Sequence, residues 1–210
     1  MNHASDPMRH TPFNALLRAA ALMLALNAAQ AAQAATTPAT DAVDVLSVPS
    51  LEKTLRCASL APFMEFANQA YVQLPLAVAR GQFNRKPLSL LQDSGPVKDY
   101  AFVQPTLIFG LKAAGIASSF GMASALTVFF DEPMDAVQTP LRRHGARFTC
   151  RQVEGDGGQL CESKIPVPAE QSPRQQVELM LVLTDLKSMV PQGRIMAGCI
   201  VMPTDPKAVR

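Results

Sequence analysis

The stretch Cys150-Arg-Gln-Val-Glu-Gly-Asp-Gly-Gly-Gln-Leu-Cys161 places two cysteines at the ends of a glycine-rich centre. Its midpoint falls between Gly155 and Asp156. A hairpin turning there sets residue 150 opposite 161 and Val153 opposite Gly158. Directly opposed residues on antiparallel strands bring their Cβ atoms close enough for a disulfide to close. The reading therefore gives strands over Ala146–Val153 and Gln159–Val167, stapled by Cys150–Cys161. The chain has four cysteines, Cys57, Cys150, Cys161 and Cys199. Pairing the middle two leaves Cys57–Cys199, which ties the beginning of the domain to its last strand. In the chain-entropy description the long closure contributes about 4–5 kcal/mol and the short one about 3. The alternative, four reduced and buried cysteines, belongs to a chain kept in a reducing compartment.

The N-terminus points away from such a compartment. Arg9, His10 and Arg18 face only Asp6, the apolar run Ala19–Leu26 follows, and a small-residue stretch ends in Ala32-Gln33-Ala34. Positive leader, short apolar centre and A-x-A site are the parts of a signal peptide over residues 1–34. Ala29-Gln30-Ala31 is a second cleavage option, and Met8 a second start. A single-pass anchor needs roughly 20 apolar residues, more than this run supplies. No cysteine follows the cleavage site to carry a lipid. The expected location is periplasmic or secreted, with no stable membrane insertion after cleavage.

Removing residues 1–34 takes two of the 19 basic and one of the 17 acidic side chains. The remaining net charge is near +1, without the basic excess of a general nucleic-acid binder. Residues 35–50, rich in Ala, Thr, Pro and Asp, read as a flexible N-terminal segment. Residues 51–210 are the size of one domain.

Outward from the hairpin, Pro166, Pro168 and Pro173 mark a connection. Val177-Glu-Leu-Met-Leu-Val-Leu-Thr184 then reads as a short central strand, with a helix from Ser172 the competing reading that periodicity leaves open. Pro191 and Gly193 make a turn before a last strand, Arg194–Met202. Upstream, Asp131, Glu132 and Asp135 precede Arg142, Arg143, His144 and Gly145. Acid at the front, base at the back and glycine as stop describe a helix, with a kink or a break into two short turns expected at Pro140. Thr106–Phe109 and Leu126–Phe130 are β-branched and aromatic runs. The Gly/Ala/Ser stretch Gly110–Ser124 between them is either a strand closely approached by another backbone or a loop. Leu51–Leu60 reads as a helix. A second follows from Pro62, with Phe63, Phe66, Ala67, Ala70, Tyr71 and Leu74 on its apolar face and an end at Pro75. Residues 75–98 read mostly as loop, with a short piece near Leu88–Leu91. The fold class expected is α+β, a mostly antiparallel sheet with helices packed on one face.

Candidate chemistry is thin. Ala117-Ser-Ser-Phe-Gly121 imitates a nucleophile elbow, but the one histidine after residue 34, His144, follows too soon to return over Ser119. Gly110-Leu-Lys-Ala-Ala-Gly115 has phosphate-loop spacing without the lysine and hydroxyl that must follow. Cysteines and histidine lack metal-ligand or C-x-x-C spacing, and the methionines are scattered. Asp131 with Glu132 or Asp135 reads as helix-start acid rather than an acid–base pair. No catalytic, cofactor-binding or metal residue is therefore predicted. The one local charge concentration is Arg142, Arg143, His144, Arg147 and Arg151, a candidate contact for an acidic partner, a phosphate or an anionic glycan, against the plainer reading of a helix end and solvated strand positions. The expected function is a non-catalytic envelope protein that binds a protein partner, such as a hydrolase it inhibits or an assembly it helps build. A small-ligand or lipid carrier, with Phe102, Phe109, Phe120 and Phe129 around the Gly/Ala/Ser stretch, is the alternative. A cell-wall-directed enzyme is the third.

Overall fold

A computed structural model describes residues 44–90, 97–119, 124–171, 177–191 and 193–204. The packed chain starts before residue 51. Val45 is buried and its N–H donates to Gln73 Oε1 at 3.1 Å, and helix α1 spans Val48–Leu55 rather than 51–60. Cys57 then takes a left-handed conformation, φ 53°, and donates its N–H to the Thr54 carbonyl. That sharp reversal launches α2, Leu60–Ala79.

Two expectations for α2 are corrected. Pro75 sits inside it, not at its end. Proline removes the bond to the carbonyl four residues back, here that of Tyr71, and both residues are exposed, so the missing donor leaves no buried residue unsatisfied. Tyr71 is accordingly 69% exposed and off the core face, which is Leu60, Phe63, Phe66, Ala70, Leu74 and Ala77.

Among the described residues eight strands form one antiparallel sheet. The first meander is β1 (Phe83–Arg85), β2 (Lys98–Ile108), β3 (Leu111–Ser119) and β4 (Ser124–Phe130). So the region read as loop holds the end of α2, β1 and the start of β2, while residues 110–119 follow the β2–β3 turn at Phe109–Gly110 as β3, and residues 120–123 lie outside the described residues. Helix α3, Met134–Arg143, carries the chain from the middle of the sheet to its far edge, with Pro140 inside it. From there β5 (Thr149–Val153), β6 (Gly158–Ile165), β7 (Val177–Thr184) and β8 (Ile195–Pro203) meander back. The order is β1-β2-β3-β4-β8-β7-β6-β5, so the last strands of the two meanders lie side by side at the centre.

The register explains the core. Leu126, Cys199 and Leu181 form one cross-strand row, and Val128, Ala197 and Leu183 the next. With Phe130 and Ile195 these side chains share a buried cluster with Leu51, Leu55, Phe63, Phe66, Val137 and Leu141 from the helices on that face, of which the third, Met134–Arg143, carries the last two. The opposite face of the sheet has a separate cluster of Ala101, Ala117, Phe129 and Met196, covered by loop residues Leu88 and Val190. The fold is therefore α+β with its helices on one face. Both disulfides form, Cys57–Cys199 and Cys150–Cys161. The hairpin register is Cys150 opposite Cys161 and Val153 opposite Gly158. The strand Val177–Thr184 is buried on both faces from Leu179 onward, the burial of a strand whose sheet is covered on both sides.

Candidate functional site

The end of α1, the end of α3 and the outer part of β6 meet around a cleft of about 490 Å³. Each wall follows from local sequence. Arg56 is the C-cap residue of α1, and its neighbour Cys57 is fastened to Cys199 in the central strand β8. The disulfide thus carries Arg56 to the sheet. At the end of α3, His144 donates its N–H to the carbonyls of Pro140 and Leu141, and Gly145 turns the chain at φ 97°. Ala146 N–H returns to Leu141 O, and Arg147 N–H donates to Ser163 Oγ at 2.9 Å. Ile165 and Leu181 supply apolar floor. The His144 ring lies 5.7 Å from that of Phe109, which packs in the β2–β3 turn.

The cleft is electropositive. The guanidinium-bearing residues Arg56 and Arg147 line it, with His144 and the strand residue Lys164, and none of the lining residues carries a carboxylate. The Lys164 ammonium is already engaged by Glu178 at 2.7 Å. That hydrogen bond, with the carboxylate's charge, raises the Lys164 pKa above its ordinary value, so the side chain is protonated at neutral pH. Among the described residues neither Arg56 nor Arg147 takes part in an ion pair. Guanidinium groups present a planar fork of donors suited to carboxylate or phosphate oxygens.

A second cleft, of about 500 Å³, lies between Asp131, Glu132, Asp185, Lys187 and Arg194. Its charges offset one another: Arg194 holds Asp131 at 2.9 Å. This also corrects the helix-start role of Asp131. The helix begins at Met134 with Pro133 as N-cap, and Asp131 serves the ion pair instead.

Of the five residues in the predicted charge concentration, His144 and Arg147 reach the electropositive cleft. Arg142 and Arg143 point to solvent from the last turn of α3, and Arg151 pairs with Glu162 along the hairpin at 4.0 Å. Sequence reading missed Arg56 and Lys164. The signal for Arg56 was present in the Cys57–Cys199 pairing, which brings the residue before Cys57 to the last strand.

The phenylalanines expected to line a ligand pocket do not converge. Phe102 packs on the helix side against Phe83, Phe129 is fully buried on the other face, and Phe120 lies outside the described residues. Ser119 ends β3, and the next described element is the strand β4 from Ser124, where a nucleophile elbow would need a helix. Among the described residues no group of three or more His, Cys, Asp or Glu side chains is placed to hold a metal ion, and no helix is long and apolar enough to cross a membrane. Two disulfides are compatible with an oxidising location. The chain matches none of the protein-family models, curated proteins or solved structures with which it was compared.

Proposed function

We propose that this chain is an exported, non-catalytic protein of the cell envelope that holds a protein partner through the cleft of Arg56, His144 and Arg147. The observation that carries the reading is an electropositive cleft whose two arginines are free of ion pairs among the described residues. Such groups gain most from a partner that brings its own carboxylates, because charge-assisted hydrogen bonds then replace water on both sides. The cleft is set by a disulfide, a helix cap and a side-chain hydrogen bond, so little conformational freedom is lost on binding.

Affinity capture with the oxidised protein from a crosslinked envelope extract tests it. One stoichiometric partner is expected with the unaltered chain and with Arg142→Glu/Arg143→Glu. The same partner is expected to be lost with Arg56→Glu/Arg147→Glu at unchanged thermal stability. Retention of the partner by the second variant would reject the cleft as its site. Turnover of a chromogenic substrate, abolished by one point change, would reject the non-catalytic reading.

A further inference from the structure

The cleft also contains an open strand edge, and the register shows which backbone groups it offers. Cys150 and Cys161 oppose each other with a Cα–Cα distance of 4.0 Å. That is the spacing of a non-hydrogen-bonded antiparallel pair, about 4.5 Å, and not of a hydrogen-bonded one, about 5.5 Å. The flanking pair Thr149–Glu162 is therefore a hydrogen-bonded one, and the N–H and C=O of Glu162 point toward β5. Strand geometry alternates. Ser163 directs its backbone groups to β7, and Lys164 directs its N–H and C=O to the same side as Glu162. No strand lies there among the described residues, because pairing of β5 with β6 begins at Thr149–Glu162. The chain before Thr149 is not paired as a strand with β6, and Arg147 instead gives its N–H to the Ser163 hydroxyl. Two residues past Lys164, Pro166 has no N–H and closes the edge.

Building on the partner-binding reading above, we propose that the cleft receives an extended acidic peptide segment of the partner, laid in line with β5. One residue of that segment makes both backbone hydrogen bonds with Lys164, and neighbouring carboxylates meet Arg56 and Arg147. Main-chain pairing supplies affinity and the arginines supply selectivity, the division of labour in strand addition to a sheet edge. A phosphate or an anionic glycan would satisfy the arginines and leave the edge of Lys164 unused.

The test uses a fluorescein-labelled decapeptide of alternating valine and glutamate, titrated into the oxidised protein by fluorescence anisotropy. Binding is expected to weaken at least about tenfold with Arg56→Glu/Arg147→Glu, as loss of charged partners at a cleft implies. It is expected to weaken similarly when the central backbone nitrogens of the peptide are methylated, and to vanish when lysine replaces glutamate. The Lys164 amide is expected to shift in NMR spectra and exchange more slowly. Equal binding of the methylated peptide, or binding of polyphosphate or heparin in place of the peptide with the Lys164 amide unmoved, would overturn strand addition and leave an anion site. No peptide binding, while capture of a partner still depends on Arg56 and Arg147, would overturn this inference alone. Failure of both experiments would remove the partner-binding reading as well.

Discussion

Gly115 lacks a side chain because its space is taken. A Cβ built on it would collide with the Tyr100 carbonyl oxygen and with Leu88 Cδ1, and would stand 2.8 Å from Ala101 Cα. Two of those three neighbours are backbone of the adjacent strand and cannot retreat without shifting β2. Gly198 in β8 repeats the arrangement against Thr127. The small residues of β3 thus let the loop carrying Leu88 settle onto the face of the sheet opposite the helices. Gly115→Ala is expected to cost about 1–3 kcal/mol, the usual range for overpacking a tight site. A urea unfolding midpoint unchanged by the substitution would show that β3 is not closely approached. Phe109 is a residue of the opposite kind. It takes a left-handed conformation, φ 54°, where Gly or Asn is usual. Its N–H donates to Glu52 Oε1 of α1 at 2.6 Å, which secures the turn from outside.

At the scale of elements, a carboxylate helps hold the loop that covers that second face. Asp99 is buried on β2, and its Oδ2 accepts the N–H groups of Leu88, at 2.6 Å, and Ser89. Asp99→Ala would leave two buried amides without their acceptor, expected to cost about 2–4 kcal/mol. Asp99→Asn, which keeps an acceptor oxygen, is expected to recover part of it. Hydrogen exchange reports the location: in the alanine variant the Leu88 and Ser89 amides should lose protection before the β7 amides do. Uniform loss across the sheet would mean that Asp99 supports the whole domain rather than this loop. The elements that could be read from sequence were those decided locally. The β5–β6 hairpin has its cysteine spacing, β7 its length and apolarity, and α3 its charges. The misread ones depended on surroundings. Pro75 breaks a helix in isolation, yet here the helix continues through it. The Phe109–Gly110 turn has a phenylalanine where turn chemistry favours asparagine. The cleft was half legible for the same reason: His144 and Arg147 are neighbours in sequence, whereas Arg56 and Lys164 join them only through the Cys57–Cys199 bridge and the β6 register.

At the scale of the molecule the chain is two passes of one plan, helix followed by a four-strand meander running from a sheet edge to its centre. No sequence repeat announces it, because topology constrains burial patterns and not residue identities. The first pass has two helices and a three-residue edge strand, the second one helix and a stapled hairpin. They meet along β4 and β8, and the Cys57–Cys199 bridge fastens the helices of the first pass to the last strand of the second. The two disulfides therefore have unequal duties. Cys150–Cys161 closes a separation of 11 residues inside one hairpin, and Cys57–Cys199 closes 142 across the whole domain. In the chain-entropy description these lengths correspond to about 3 and about 5 kcal/mol. Cys57→Ala/Cys199→Ala is thus expected to lose about 2 kcal/mol more than Cys150→Ala/Cys161→Ala. It should also show a steeper denaturant dependence, since the unfolded chain it releases exposes more surface. The hairpin variant should keep the cleft, because Arg56 remains tethered. The long-bridge variant, measured where it is still folded, should weaken the acidic-peptide binding, because α1 is then held to β8 by packing alone. If peptide affinity instead followed the hairpin disulfide and ignored the long one, the cleft would be organised by β5 and not by the end of α1.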